Sequence, residues 1–304
     1  MTAPWFGAAA AMMVASIAAI GIVGSNVRAQ NTGALPATVN FPSGDGTTSL
    51  IGYVFTPVQP RAARAPAVVM MHGRAGPYSA NVKKSGPYNA STLSKRHKMW
   101  GQSWSALGYV AVLVDGFAPR GYPGGFGQGT YSDRPDVVNE VTVRPLDAYG
   151  ALAYLRTRSD VAGDRVGLQG WSNGGSAALV TAAVDAPGLA EHTPAAGFRA
   201  ALVFYAGCAL HQRYDAQGYK PYTTVLAFHG MSDDETAYWR CEQLVARSRT
   251  LGGDISIKLY PGASHSFDDP GRQNVPANKA ATADAFASSE ALFERILAQG
   301  MPPR

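Results

Sequence analysis

The chain has 304 residues, 46% hydrophobic and only 15% charged, which suits one large α/β domain or two small ones and excludes a disordered, charge-rich scaffold. The formal charge of +5 comes from scattered basic residues. Even the densest group, Lys83, Lys84, Lys95, Arg96 and Lys98, has little aromatic interleaving, so no nucleic-acid partner is expected.

The first 29 residues stand apart. Trp5 to Gly24 is apolar and free of charge, and Ser25-Asn26-Val27-Arg28-Ala29 puts small residues third and first before Gln30. This predicts a signal peptide over 1–29 and an exported protein, periplasmic or secreted, beginning at Gln30. An uncleaved N-terminal membrane anchor is the alternative, since the stretch is about as long as a bilayer span. With cleavage, no stable membrane insertion is expected.

Residues 30–304 read as one domain. Ala37 to Val58 predicts a β-hairpin around the turn signal Ser43-Gly44-Asp45-Gly46. Unbroken apolar runs follow at 67–71, 109–114, 166–169, 201–205, 225–228 and 255–260, the pattern of strands buried on both faces. Helical periodicity fills the gaps: Leu146, Tyr149, Leu152 and Ala153 share a face, as do Tyr238, Cys241, Leu244 and Val245, then Phe286, Phe293, Ile296 and Leu297. Alternating strands and helices imply an α/β fold with a mostly parallel central sheet and helices on both faces. The chemistry of such a sheet gathers at the C-terminal strand ends.

One of those ends carries the most informative motif. Gly170-Trp171-Ser172-Asn173-Gly174 lies between the strand at 166–169 and a helix expected over Ser176 to Val184, the context of a nucleophile elbow. A serine hydroxyl needs a base, and the base needs an orienting carboxylate. Of six histidines, His265 lies in the loop between the last strand and the last helix. His72 and His229 end strands before glycine and read as structural, while His97, His192 and His211 lie in polar stretches. Asp233, three residues past Gly230, is the preferred carboxylate, with Asp234 as runner-up. The order Ser172, Asp233, His265 is that of α/β-hydrolases. The amides of Asn173 and of Arg74, in His72-Gly73-Arg74-Ala75-Gly76, are the candidate oxyanion donors.

Other features are less specific. The glycines between 115 and 131 lack the spacing of a phosphate loop, and no zinc-type Cys/His cluster or His-Glu-x-x-His occurs, so neither cofactor nor metal is expected. Cys208 and Cys241 follow neighbouring strands and would pair in an oxidising compartment, two separate buried thiols being the alternative. Arg120, just past a strand end, either binds a substrate carboxylate or forms an ion pair that pins its loop. The segment Pro77 to Met99 either shapes the pocket or is a solvated excursion.

Taken in order, Phe41-Pro42-Ser43-Gly44-Asp45-Gly46, His72 to Gly76, Asp115-Gly116-Phe117-Ala118-Pro119-Arg120-Gly121, Arg144 and Asp147, the elbow, Gly230 to Asp234 with Cys241, and Gly262 to Phe267 resemble the dienelactone hydrolase family of α/β-hydrolases. The resemblance spans about Val39 to Ala298. It implies cleavage of small-molecule carboxylic esters or lactones by an elbow nucleophile, Asp and His, roles that fall on Ser172, Asp233 and His265. Dienelactone hydrolases proper carry cysteine at the elbow; serine here favours a general serine esterase working through an acyl-enzyme. A serine peptidase or acyltransferase, or a catalytically silent binding protein, are the competing readings.

Overall fold

The structure, a computed structural model, describes residues 1–2, 34–82 and 85–299. Beyond Met1 and Thr2 the expected leader lies outside the described residues, as do Lys83 and Lys84. Strands β1 (Ala37–Pro42) and β2 (Ser49–Phe55) form the expected hairpin, with Phe41 opposite Leu50. Asp45 builds its turn by accepting the Thr47 and Thr48 amides at 2.9 and 2.8 Å, the usual use of aspartate in such turns.

Six further strands follow: β3 (Ala65–Met71), β4 (Val110–Asp115), β5 (Val161–Trp171), β6 (Ala200–Phe204), β7 (Thr224–Gly230) and β8 (Ile255–Tyr260). They join the hairpin in one sheet of order β1-β2-β4-β3-β5-β6-β7-β8. Pairings from β4 through β8 are parallel, and β1–β2 and β2–β4 are antiparallel. This is the α/β-hydrolase fold.

The helices are α1 (Lys95–Ala106), α2 (Arg144–Thr157), α3 (Asn173–Thr181), α4 (Tyr238–Thr250) and α5 (Pro276–Leu297). Val69, Met71, Leu168 and Val203 pack with α2, α3 and α4 on one face. Their neighbours Val68, Met70, Leu202 and Phe204 pack with α1 and α5 on the other, as the two-residue period of a strand requires. The strand residues are buried on both faces, so the strand interiors read as continuous apolar runs.

Some boundaries differ from expectation. Helix α3 begins at Asn173 rather than Ser176, because Gly174 and Gly175 are weak helix formers whose place is set by packing. Strand β5 starts at Val161, where a register shift lets Val161 pair with Ala65 before the apolar run begins. No helix among the described residues is long and apolar enough to cross a membrane.

Candidate active site

Three strand ends converge on Ser172. The serine follows β5 with φ 54° and ψ −116°, a conformation that costs of order 1–3 kcal/mol for a residue with a side chain. The surroundings hold it there: its amide donates to the Phe204 carbonyl at 2.9 Å, and its carbonyl accepts from Ser176 N at 2.9 Å. A Cβ at Gly170 would overlap the Gly174 carbonyl, and one at Gly174 would overlap those of Met71 and His72. The turn therefore tolerates only glycine on either side of Trp171-Ser172-Asn173.

His265, past the end of β8, is buried and brings Nε2 to 3.1 Å from Ser172 Oγ. Its Nδ1 lies 2.8 Å from Asp233 Oδ2. The carboxylate can only accept, so Nδ1 carries the proton and Nε2 is free to accept from the serine hydroxyl. Asp233, past the end of β7, also accepts the Glu235 and Thr236 amides at 2.8 Å each and the Thr236 hydroxyl at 2.9 Å. His229 Nε2 stands 3.2 Å from the same carboxylate. Burial alone would raise the pKa of this group, but hydrogen bonds from His229, His265 and the Thr236 amide outweigh it and hold Asp233 well below the ordinary carboxylate range. Asp234 points to solvent. Of the two aspartates, Asp233 is the one brought to His265.

Arg74 and Asn173 flank Ser172 in a cleft of about 360 Å³. Gly73 packs so tightly on the elbow that a Cβ there would lie 3.4 Å from Ser172 Cβ. The backbone of 73–74 is thereby pressed against Ser172. Neither the Arg74 amide nor the Asn173 amide donates to another backbone or side-chain group among the described residues.

The model of the dienelactone hydrolase family matches residues 50–297. The chain belongs to that family. This member also shares its fold with P91, a dienelactone hydrolase-like promiscuous phosphotriesterase from metagenomic libraries. The two are 20% identical over 86% of this chain and 99% of P91, with a TM-score of 0.58. Esterase 2 of the planctomycete Thermogutta terrifontis, with propionate bound, is 18% identical over 88% of this chain and 96% of the esterase, at a TM-score of 0.56. The same esterase phosphorylated by paraoxon is 17% identical over 89% of this chain and 98% of the esterase, at a TM-score of 0.58. Membership makes the protein a hydrolase acting on esters.

Several neighbours of the site in this family member were not visible in sequence. The Arg74 side chain makes a two-pronged ion pair with Glu235 at 2.9 Å per bond, and Glu235 Oε2 lies 3.7 Å from His265 Nε2. The Asn173 side chain is fixed from both ends, accepting from Arg144 at 2.5 Å and donating to buried Glu140 at 2.8 Å. The glycine-rich segment lines the cleft through Gln128, Tyr131 and Arg134, and none of the described residues of Pro77–Met99 does. Tyr78 of that longer segment is buried, donating to Asp115 at 2.8 Å. His97 is buried on α1 against Trp171, which corrects its reading as part of a polar stretch.

Arg120 does not face the cleft. Its guanidinium grips Asp147 with two bonds of 2.9 and 2.8 Å, reaches Asp45 at 2.7 Å and donates to the Gly116 carbonyl at 2.7 Å. With those contacts made and 6% of the side chain exposed, it has no fork left for a substrate carboxylate. The geometry is that of the loop-pinning ion pair. Cys208 and Cys241 form a disulfide with a Cα–Cα distance of 5.0 Å, and Cys208 lines the cleft.

Proposed function

We propose that this protein is an exported serine esterase or lactonase that acts through an acyl-enzyme formed on Ser172. The observation that carries the reading is the unbroken hydrogen-bond chain from Ser172 through His265 to Asp233. Ser172 attacks the carbonyl carbon of the ester while His265 takes the hydroxyl proton on Nε2. Asp233 keeps the imidazole in the required tautomer and stabilises the imidazolium. The amides of Arg74 and Asn173 hold the oxyanion of the tetrahedral intermediate. His265 then gives its proton to the leaving alcohol, and water activated by the same nitrogen releases the acid and restores Ser172.

A cleft of about 360 Å³ suits a small-molecule ester or lactone, near the lower end of ordinary ligand pockets. A silent binding protein has no use for a strained serine aligned with a buried histidine and an ionised aspartate. Export is supported by the disulfide and by the leader expected over 1–29. The function is tested by labelling with a fluorophosphonate, a choice supported by the capture of esterase 2 by paraoxon. The label should map to Ser172 and be absent from Ser172→Ala. Label on another residue, or ester turnover undiminished in that variant, would overturn the mechanism. Intact mass of exported protein should begin at Gln30; retention of 1–29 in a membrane fraction would make the leader an anchor.

A further inference from the structure

On the sheet face opposite the disulfide lies a buried polar cluster that the reaction does not consume. Its centre is Asp268, fully buried and three residues past His265. One carboxylate oxygen accepts two indole N–H groups, from Trp100 at 2.8 Å and from Trp171 at 2.9 Å. The other accepts the Tyr205 hydroxyl at 2.6 Å. Arg96 donates to that hydroxyl at 3.0 Å and lies 4.0 Å from the carboxylate, which supplies the cluster with a compensating charge. An aspartate sunk among tryptophans is expensive unless it is hydrogen-bonded and its charge is compensated, and here three donors bond it and the guanidinium stands nearby.

The partners of Asp268 are the segments whose spacing the reaction needs. Trp171 is the residue before the nucleophile. Tyr205 packs its ring edge-on against His265, with centroids 4.7 Å apart. The Thr236 hydroxyl stands 3.2 Å from the Tyr205 carbonyl and 2.9 Å from Asp233 Oδ2, so its one proton lies between the two acceptors. Between His265 and Asp268 the chain turns through Ser266 at φ 56°, a left-handed conformation that a non-glycine residue leaves unless its flanks are tied. One end of that turn is tied by Asp268.

We infer that Asp268 is a positioning residue that sets the Ser172–His265 distance by fastening the histidine loop to Trp171 of the elbow and to Tyr205 beneath the imidazole. The role rests on the serine-esterase reading above. Its loss leaves the cleft and the oxyanion donors in place while the imidazole drifts, so it acts on kcat and spares KM.

The experiment compares Asp268→Asn with Trp104→Phe. The second is a matched control: Trp104 belongs to the same aromatic cluster but bonds to Gln169 at 2.7 Å. Active sites are counted by fluorophosphonate incorporation at saturation, and kcat and KM for a small neutral ester are referred to that count. Asp268→Asn should lower kcat per titrated site on the order of 30-fold, as misplacement of a reacting group does, with KM within twofold. Its labelling rate should fall in parallel. Trp104→Phe should lose melting temperature with kcat per titrated site within about twofold. If Asp268→Asn does not fold, Tyr205→Phe, which removes only the hydroxyl, carries the test with an expected fall of about fivefold.

A lower titratable fraction with unchanged kcat per site in the Asp268 or Tyr205 variant would make the cluster purely structural and overturn the inference alone. Failure of the unaltered protein to hydrolyse esters or take the label would overturn the esterase reading instead.

Discussion

Asp233 and Asp147 are both aspartates with no exposed side-chain surface, and both carboxylates are saturated with donors. Their surroundings differ in where the hydrogen bonds lead. From Asp233 they run through a histidine to a hydroxyl at the edge of the cleft. From Asp147 they run to the fork of Arg120 and to the Ser43 hydroxyl at 2.8 Å, and on to the hairpin turn at Asp45. The second cluster locks β1–β2 and the loop after β4 onto the start of α2. Burial lowers the proton affinity of Arg120, and Asp147 and Asp45 more than restore it. Burial, charge and saturation alone therefore do not separate machinery from scaffold. What separates them is whether the chain of bonds ends on a serine hydroxyl at the cleft.

The largest effect expected from this contrast lies on the Asp233 side. Ser172→Ala should cut kcat by about 10⁴-fold or more while keeping the fold, His265→Ala should do the same, and the double variant should lose little beyond either. Asp233→Asn should cost about 10³- to 10⁴-fold, since the wrong imidazole tautomer is then favoured. Asp234→Asn, at a solvent-facing position, should stay within about twofold, as surface changes do. Steady-state kinetics on a neutral ester reads all four. A larger loss in the Asp234 variant than in the Asp233 variant would reverse the choice of carboxylate.

On the Asp147 side the cost should appear in stability. Arg120→Met removes one partner of a buried pair and leaves Asp147 uncompensated, a loss of about 3–5 kcal/mol. Denaturant unfolding should show it, and kcat/KM should change by the same factor for anionic and neutral esters. A rise in KM confined to anionic esters would return Arg120 to substrate binding and blur the line between the two clusters.

How far each cluster could be read in advance depends on how local its signal is. The elbow was readable because its glycines, its serine and its flanking strand and helix are contiguous, and His265 because its loop lies between the last strand and the last helix. Asp233 and Asp234 are adjacent and chemically equal, so only the backbone path after Gly230 could rank them. Glu235, Glu140 and Asp268 carry no such local signal. Their site partners are 161, 33 and 97 residues away, at Arg74, Asn173 and Trp171, and no periodicity or spacing joins them. Arg120 stayed ambiguous for the same reason, being 27 residues from Asp147 and 75 from Asp45.

A third structure, the disulfide, touches the first cluster from the side. Cys208 lines the cleft after β6, and Cys241 lies on α4, which starts five residues past Asp233. Replacing both cysteines by alanine should cost about 2–4 kcal/mol, the usual range for a bridge closing a loop of moderate length. A chemical denaturation midpoint equal to that of the unaltered protein would mean that the bridge adds nothing to the fold.

The smallest effect concerns pH and isolates Asp233 from every other carboxylate. Its proton affinity is depressed in the folded protein relative to the unfolded value of about 3.9. In the window below that value the unfolded chain binds the proton that the folded chain refuses, so acid favours unfolding. The stability contributed by Asp233 is thus fully present above about pH 5 and is lost progressively as pH falls toward its folded value. Asp233→Asn has no such group. Melting temperature measured from pH 6 down to pH 3 should fall more steeply for the unaltered protein than for Asp233→Asn, although the variant starts lower. Asp234→Asn should track the unaltered slope. Parallel curves for the unaltered protein and Asp233→Asn would mean that the donors around Asp233 do not hold it ionised, and the distinction between a poised carboxylate and a merely buried one would lose its thermodynamic support.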